Sequence, residues 1–238
     1  MNIVATDTSS QALAVAIKTD GYYESRTIES RSIMHSEKLV PVITELCSNA
    51  GITTKDLELL ACTRGPGSFT GLRIGMAALK GMAFALDKPL VSVSTMEVLA
   101  NCIPSFDGAV VTVIDAKKKR WYLGAFTKGS GENAIRIMPD TDGTEADLVN
   151  VLEPYGNILV TGPDAGAFTK VLKSFYGTAK TITADTMSIR AVPDSLIACA
   201  LRQYGESGAD DIGQGPVYLR KSDAEIALEE RQGEKNNG

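Results

Sequence analysis

One histidine, His35, stands among 238 residues, and that scarcity excludes whole classes of chemistry. A catalytic zinc takes about three protein ligands, usually led by histidine, and the chain has neither a His-x-x-x-His pair nor a cysteine cluster. Ser-His-Asp catalysis would have to run through His35, which stands at a helix start with no Gly-x-Ser-x-Gly motif beside it. His35 therefore reads as a helix-start or interface residue. The four cysteines, Cys47, Cys62, Cys102 and Cys199, are dispersed. Without Cys-x-x-Cys spacing they exclude a disulfide frame or zinc site and read as buried reduced thiols. A basic excess is missing too: 24 Lys and Arg face 29 Asp and Glu, for a net charge of −5. That balance excludes a large nucleic-acid surface, whose main affinity comes from cations on phosphates. No apolar run approaches membrane length, and the sequence opens on strand-like Met1-Asn-Ile-Val without a basic leader. A soluble cytoplasmic chain is the expectation.

What is present is ordinary for a globular protein, at 44% hydrophobic and 22% charged residues, with one unusual stretch at its centre. Leu59-Leu-Ala-Cys-Thr63 reads as a buried strand leading into Arg64-Gly-Pro-Gly-Ser-Phe-Thr-Gly-Leu-Arg-Ile-Gly75. A helix over about 68–86 follows, stopped by Lys88-Pro89. Such a strand-to-helix turn is a usual phosphate site, because helix N-termini carry partial positive charge. The spacing matches neither G-x-G-x-x-G nor a Walker A loop. Along the helix, Gly71, Gly75, Ala78, Met82 and Ala85 share one stripe, with Gly81 beside it. Each helical glycine costs roughly 0.8–1 kcal/mol against alanine. A stripe of small residues lets another element approach closely, either within this chain or from a partner subunit, and both readings stand.

The rest of the chain repeats one order. Strands at 3–6, 12–18 and 22–28 precede a helix at 35–50, whose Leu39, Val42, Ile43 and Leu46 form a wide apolar stripe around an awkward Pro41. Strand 58–63, the long helix, strand 90–93 and a helix at 95–102 follow. After Pro104-Ser-Phe-Asp-Gly108 come strands at 109–114, 121–127 and 135–138, and a helix at 144–152. Strand 157–161, the turn Gly162-Pro-Asp-Ala-Gly166, a helix to about 175, a weak strand near 180 and a helix at 193–204 complete the order. The expected division is an N-terminal lobe over 1–105, a C-terminal lobe over 106–220, and a tail over 221–238. In that tail, 224–231 is helix-like and 233–238 polar enough to stay disordered.

Gly-Pro-Gly-Ser-Phe-Thr-Gly-Leu-Arg-Ile-Gly resembles the signature of the TsaB (YeaZ) family of bacterial tRNA threonylcarbamoyladenosine biosynthesis. Asp7-Thr-Ser-Ser, His35-Ser-Glu-Lys-Leu-Val-Pro41, Ile114-Asp-Ala116 and Pro216-Val-Tyr-Leu-Arg220 are similar to further pieces of that family. The resemblance covers most of the chain from residue 3 to about 221. It implies an α/β actin-like ATPase (ASKHA) fold of two ribonuclease-H-like lobes, which the doubled order also matches. It implies a non-catalytic scaffold that pairs with the catalytic paralogue TsaD, with the ATPase TsaE joining and tRNA reached indirectly. Homodimerisation is the competing arrangement when the chain is alone. The metal-binding histidine pair of that paralogue is absent here, and a metalloprotease reading gains no support.

In actin-like ATPases, acidic hairpin turns face the cleft and hold Mg²⁺ through water. Asp7 with Thr8, Asp115 and Gly162 are thus the candidates for weak ATP or ADP binding, with no cofactor required. Two Asx turns and a loop account for the same residues. An independent actin-like ATPase or small-molecule kinase is the alternative function, although no general base stands out. For the partner surface the candidates are Leu39, Val42, Ile43 and Leu46 with Gly71, Gly75, Ala78 and Met82. Lys117-Lys-Lys-Arg120 beside Trp121 and Tyr122 hints at nucleic-acid stacking, but a solvated hairpin turn is the preferred reading.

Overall fold

In the computed structural model, which describes residues 1–29, 35–185 and 187–220, one five-stranded topology occurs twice. β1 (Ile3–Asp7), β2 (Ala12–Lys18) and β3 (Tyr23–Glu29) form an antiparallel meander, and β4 (Leu59–Gly65) and β5 (Leu90–Ser94) add in parallel on the other side of β1. The order is β3-β2-β1-β4-β5. β6 (Phe106–Lys117), β7 (Arg120–Lys128), β8 (Ile135–Gly143), β9 (Asn157–Thr161) and β10 (Thr181–Ala184) repeat it as β8-β7-β6-β9-β10. The helices fall into the same places: α1 (His35–Asn49), α2 (Phe69–Leu86) and α3 (Thr95–Asn101), then α4 (Val149–Leu152), α5 (Ala165–Tyr176) and α6 (Val192–Ser207). This pair of ribonuclease-H-like lobes is the actin-like ATPase fold that the resemblance implies.

Parallel strands buried on both faces call for largely apolar sequence, and β1, β4 and β5 are buried almost throughout, with Thr6, Asp7, Thr63, Ser92 and Ser94 as the buried polar positions. On the outer face of the first sheet, Val4, Val15, Leu60 and Cys62 meet Leu39, Ile43 and Leu46 of α1 and Met76, Leu79 and Ala83 of α2. On the outer face of the second, Val111, Val113 and Val160 meet Phe168 and Leu172 of α5. A third core lies between the sheets, where Ile3, Ala5, Val91 and Val93 face Val110, Ile114 and Phe126 across α3 and α6. Full burial of each large side chain there contributes about 1.5–3 kcal/mol. The two helices of that layer are exchanged. α6 ends the second lobe yet packs on β1, β2, β4 and β5, while α3 ends the first lobe yet reaches β6 and β7.

Residues 208–220 return as a strap over α2. Asp210 N–H donates to Leu90 O at 2.8 Å, and Lys80 Nζ donates to Ile212 O at 2.6 Å and to Gln214 O. Val217 N–H donates to Arg64 O at 2.7 Å. The two family-like stretches Arg64–Gly75 and Pro216–Arg220 are therefore fastened to each other. The expected helix at 224–231 and tail at 233–238 lie outside the described residues.

Three expectations need correction. The helix at 144–152 is a 3-10 segment, Glu145–Leu148, followed by the single turn of α4. β8 runs five residues beyond the expected 138, to Gly143. By length and composition α2 is the one described helix apolar enough to cross a bilayer. It is instead a helix of the lobe, with Leu72, Met76 and Leu79 buried and Lys80 tied to the strap.

Candidate functional site

The central turn is built around contact, with glycine as the means. Ser68 caps α2, its Oγ accepting Gly71 N–H at 3.2 Å, and its own N–H donates to Ser9 O at 2.7 Å. The β1–β2 hairpin thereby lies on the first turns of α2. A methyl group at Gly67 would overlap Ser9 O, one at Gly71 would overlap Thr8 O, and one at Gly75 would overlap Thr8 Oγ1. At Gly71 and Gly75 the small-residue stripe is filled by this chain's own Thr8, and at Gly67 the turn is filled by Ser9. Gly71 and Gly75 are corrected from partner surface to internal packing.

Asp7 is 7% exposed. Its Oδ1 accepts Ser9 N–H at 2.9 Å and Thr63 Oγ1–H at 2.6 Å. Asp115 makes the matching Asx turn, accepting Lys117 N–H at 2.7 Å on Oδ1 and the Lys117 ammonium at 2.8 Å on Oδ2. The Lys117 ammonium holds the Asp115 carboxyl below its ordinary pKa. Gly162 has φ +117°, and a methyl there would overlap Val113 O. The turn it opens is bonded to β6 through Asp164 Oδ2, which accepts Asp115 N–H at 2.8 Å. Strand alternation separates the two candidate carboxylates. Asp7 continues the face of Ile3 and Ala5, toward the interlobe core, whereas Asp115 continues the face of Val111 and Val113, away from it. Among the described residues, no group of three His, Cys, Asp or Glu side chains is placed to hold a metal ion.

His35 is a helix-start residue: its Nε2–H donates to Ser10 O at 3.0 Å, tying α1 to the β1–β2 hairpin. All four cysteines are buried and free. Burial pushes Cys62 and Cys102 up to about 12 and Cys199 up to about 11, so their thiols stay protonated. Trp121 packs against Phe168 of α5 with ring centroids 5.0 Å apart and the planes tilted at 56°, which ties its ring to the core of the second lobe.

The outer faces of α1 and α2 correct the remaining partner-surface residues. Leu39, Val42, Ile43 and Leu46 are buried in the first lobe, and Ala78 and Met82 are half-buried against the same core. The outward residues include Val40, Pro41, Thr44 and Ser48 on α1 and Ala77, Gly81, Phe84 and Ala85 on α2. They are flanked by exposed Ser36, Glu37, Lys38, Glu45 and Asn49 on α1 and Thr70 and Arg73 on α2. Phe84 is 83% exposed and Val40 43%, and the space beside Gly81 is open. The sequence carried a signal for this face, because α2 is apolar or small on nearly every side. A helix of that kind is either fully buried or covered from outside.

The β6–β7 turn shows a further feature that spacing does not reveal. Lys117, Lys118 and Lys119 have φ of 65°, 55° and 60°. Left-handed backbone costs roughly 1–2 kcal/mol at a residue that carries a Cβ. Arg120, at the end of the basic run, is paired to Asp142 at 2.9 Å.

With this geometry in hand, comparison with known proteins is informative. The family model for the tRNA N6-adenosine threonylcarbamoyltransferase TsaD matches residues 29–228. The chain is 30% identical over 234 residues to the tRNA threonylcarbamoyladenosine biosynthesis protein TsaB of Bacillus subtilis (strain 168), covering 98% of this chain and 100% of that one. It is 28% identical over 228 residues to the protein of the same name from Escherichia coli (strain K12), covering 93% and 96%. The solved structure of YeaZ from Pseudomonas aeruginosa superposes with a TM-score of 0.70 at 23% identity, over 92% of this chain and 99% of that one. That likeness shows the fold.

Proposed function

Because the chain belongs to the TsaB (YeaZ) family of tRNA threonylcarbamoyladenosine biosynthesis proteins, within the wider TsaD family, we propose that it is the non-catalytic scaffold of a threonylcarbamoyl-transferring complex. In this reading it acts in the cytoplasm, binds and stabilises the catalytic paralogue TsaD, and is joined by the ATPase TsaE. The complex modifies the adenosine beside the anticodon of ANN-decoding tRNAs. The observation that carries the scaffold role is the outward apolar face of the adjacent helices α1 and α2, centred on Phe84. A phenylalanine 83% exposed beside Ala77, Gly81 and Ala85 suits burial against a second helix pair, as in a four-helix packing. Homodimerisation through the same face competes when the partner is absent.

The chain supplies no chemistry of its own in this reading and requires no cofactor. Any ATP or ADP held near Asp7, Thr8, Asp115 and Gly162 would be held weakly, since Asp7 is engaged by Thr63 and Ser9, and Asp115 by Lys117. The test is Phe84→Glu and Gly81→Leu, with assembly followed by size-exclusion chromatography and light scattering. Both variants should keep the parent melting temperature, because both positions are open, and both should lose the paralogue complex. Unchanged assembly would remove this face from the interface.

A further inference from the structure

One run of cationic groups follows the β6–β7 hairpin tip and the strap. Its first part is the β6–β7 hairpin tip, where Lys117, Lys118 and Lys119 are exposed and all three lie in the left-handed region. A two-residue hairpin turn asks for that backbone, and Asn-Gly normally supplies it without strain. Strain kept at a surface turn points to a use for the side chains that bear it. Behind the turn, Lys117 pairs with Asp115 and Arg120 with Asp142. Next along the line is Arg220, whose Nη1 donates to Ala116 O at 3.4 Å, beside the turn. The strap then leads to Tyr218, where an arginine is set on two rings. Arg73 Cζ lies 3.9 Å from the Phe69 centroid and 5.5 Å from that of Tyr218, and Nε donates to the Tyr218 hydroxyl at 2.8 Å. That contact uses one donor and fixes the guanidinium plane of an exposed residue, leaving its terminal amino groups for another acceptor.

We propose that Lys117, Lys118, Lys119, Arg220 and Arg73 hold the sugar-phosphate backbone of the tRNA that the complex modifies. The inference rests on the functional reading above and deepens it, making the contact with tRNA direct as well as indirect. Ammonium groups and a pre-oriented guanidinium fork are the donors that phosphate oxygens accept, and they give affinity without reading sequence. A net charge of −5 keeps the contribution of the remaining surface to RNA affinity small. A handful of phosphates is also all that the composition allows.

The experiment measures fluorescent tRNA binding to the complex reconstituted from the full chain and its paralogue, across a range of KCl concentrations. The main variant is Lys118→Asn with Lys119→Gly, which relieves the left-handed strain while deleting two charges. Arg73→Gln is measured in parallel. The double variant should melt no lower than the parent and assemble normally. It should weaken tRNA binding about tenfold near physiological salt, with a log–log salt slope shallower by roughly 1.5. Arg73→Gln should weaken binding several-fold and raise the KM for tRNA without changing kcat. Unchanged affinity and slope in both variants would overturn the proposal. So would weakened assembly with unchanged tRNA affinity of the assembled complex, which would assign the line to a protein partner. A parent complex that neither binds nor modifies tRNA would instead sink the functional reading itself.

Discussion

At the residue scale, Thr8 explains why the central stretch is rich in glycine. Two glycines one helical turn apart meet different parts of that threonine: Gly71 faces its backbone carbonyl and Gly75 its hydroxyl. The difference makes a prediction that separates backbone from side-chain crowding. Gly75→Ala should destabilise the fold by about 1–3 kcal/mol as overpacking, and Thr8→Ala should restore part of the loss by removing the hydroxyl. Gly71→Ala should cost at least as much and gain nothing from Thr8→Ala, since a carbonyl remains whatever the side chain. Urea unfolding of the five variants, three single and two double, treated as two double-mutant cycles, reads the coupling directly. Equal rescue at both positions would show that the helix simply shifts away from the hairpin. The spacing alone leaves an internal and a subunit contact open, and the assignment of Gly71 and Gly75 to a partner surface is what the packing against Thr8 overturns. The spacing specifies a close approach and is silent about what approaches.

At the element scale, the sequence was legible wherever periodicity and burial agree. α1, α2 and the strands around β1 fall close to their expected places, because their apolar residues repeat at the helical or strand period and face a core. The failures have physical causes. β8 continues through Pro139, Asp140, Asp142 and Gly143, all poor strand formers. It does so because Arg136 pairs with Asp140 and Arg120 with Asp142, holding that part of β8 in place through its side chains. Tertiary pairing overrode local propensity there. On α1 the apolar stripe was correctly found and wrongly aimed, since a stripe marks the buried face and the partner face is what remains. The strap was legible only as a motif at 216–220, with no period to place it on α2. Its attachment can be tested through Lys80, which donates to two of its carbonyls. Lys80→Met should leave the strap carbonyls without their charged donor, a loss of about 1.5–3 kcal/mol felt locally. Hydrogen exchange over 208–220 should rise by one to two orders of magnitude, while exchange in β1 and β4 stays unchanged. Exchange in the strap equal to the parent's would mean that Val217 and Tyr218 hold it without the lysine.

At the scale of the whole molecule, the doubled pattern told the topology of each sheet but not how the lobes depend on each other. A cut near 105 looks natural in sequence, because Pro104-Ser-Phe-Asp-Gly108 separates two similar runs. The packing contradicts independence. Leu196, Ile197 and Ala200 of α6 cover the face of the first sheet formed by Ile3, Ala5, Ala61 and Val93, although α6 begins about a hundred residues after the last strand of that sheet. Polar contacts join the same exchange: Ser195 Oγ donates to Val98 O at 2.6 Å, and Arg202 pairs with Glu97. A fragment of residues 1–105 would therefore leave one face of a largely apolar sheet in water. It should retain its outer core with α1 and α2 but lose a unique packed state, binding hydrophobic dye and unfolding without a cooperative transition. Residues 106–238 should fail similarly, because α6 would have no sheet to cover. Mixing or co-expressing the two fragments should restore a single cooperative transition, since α3 and α6 then recover their opposite sheets. Calorimetry of each fragment and of the mixture decides the matter. A sharp endotherm from 1–105 alone would show that α1 and α2 suffice, and that the interlobe layer joins two domains rather than completing one core.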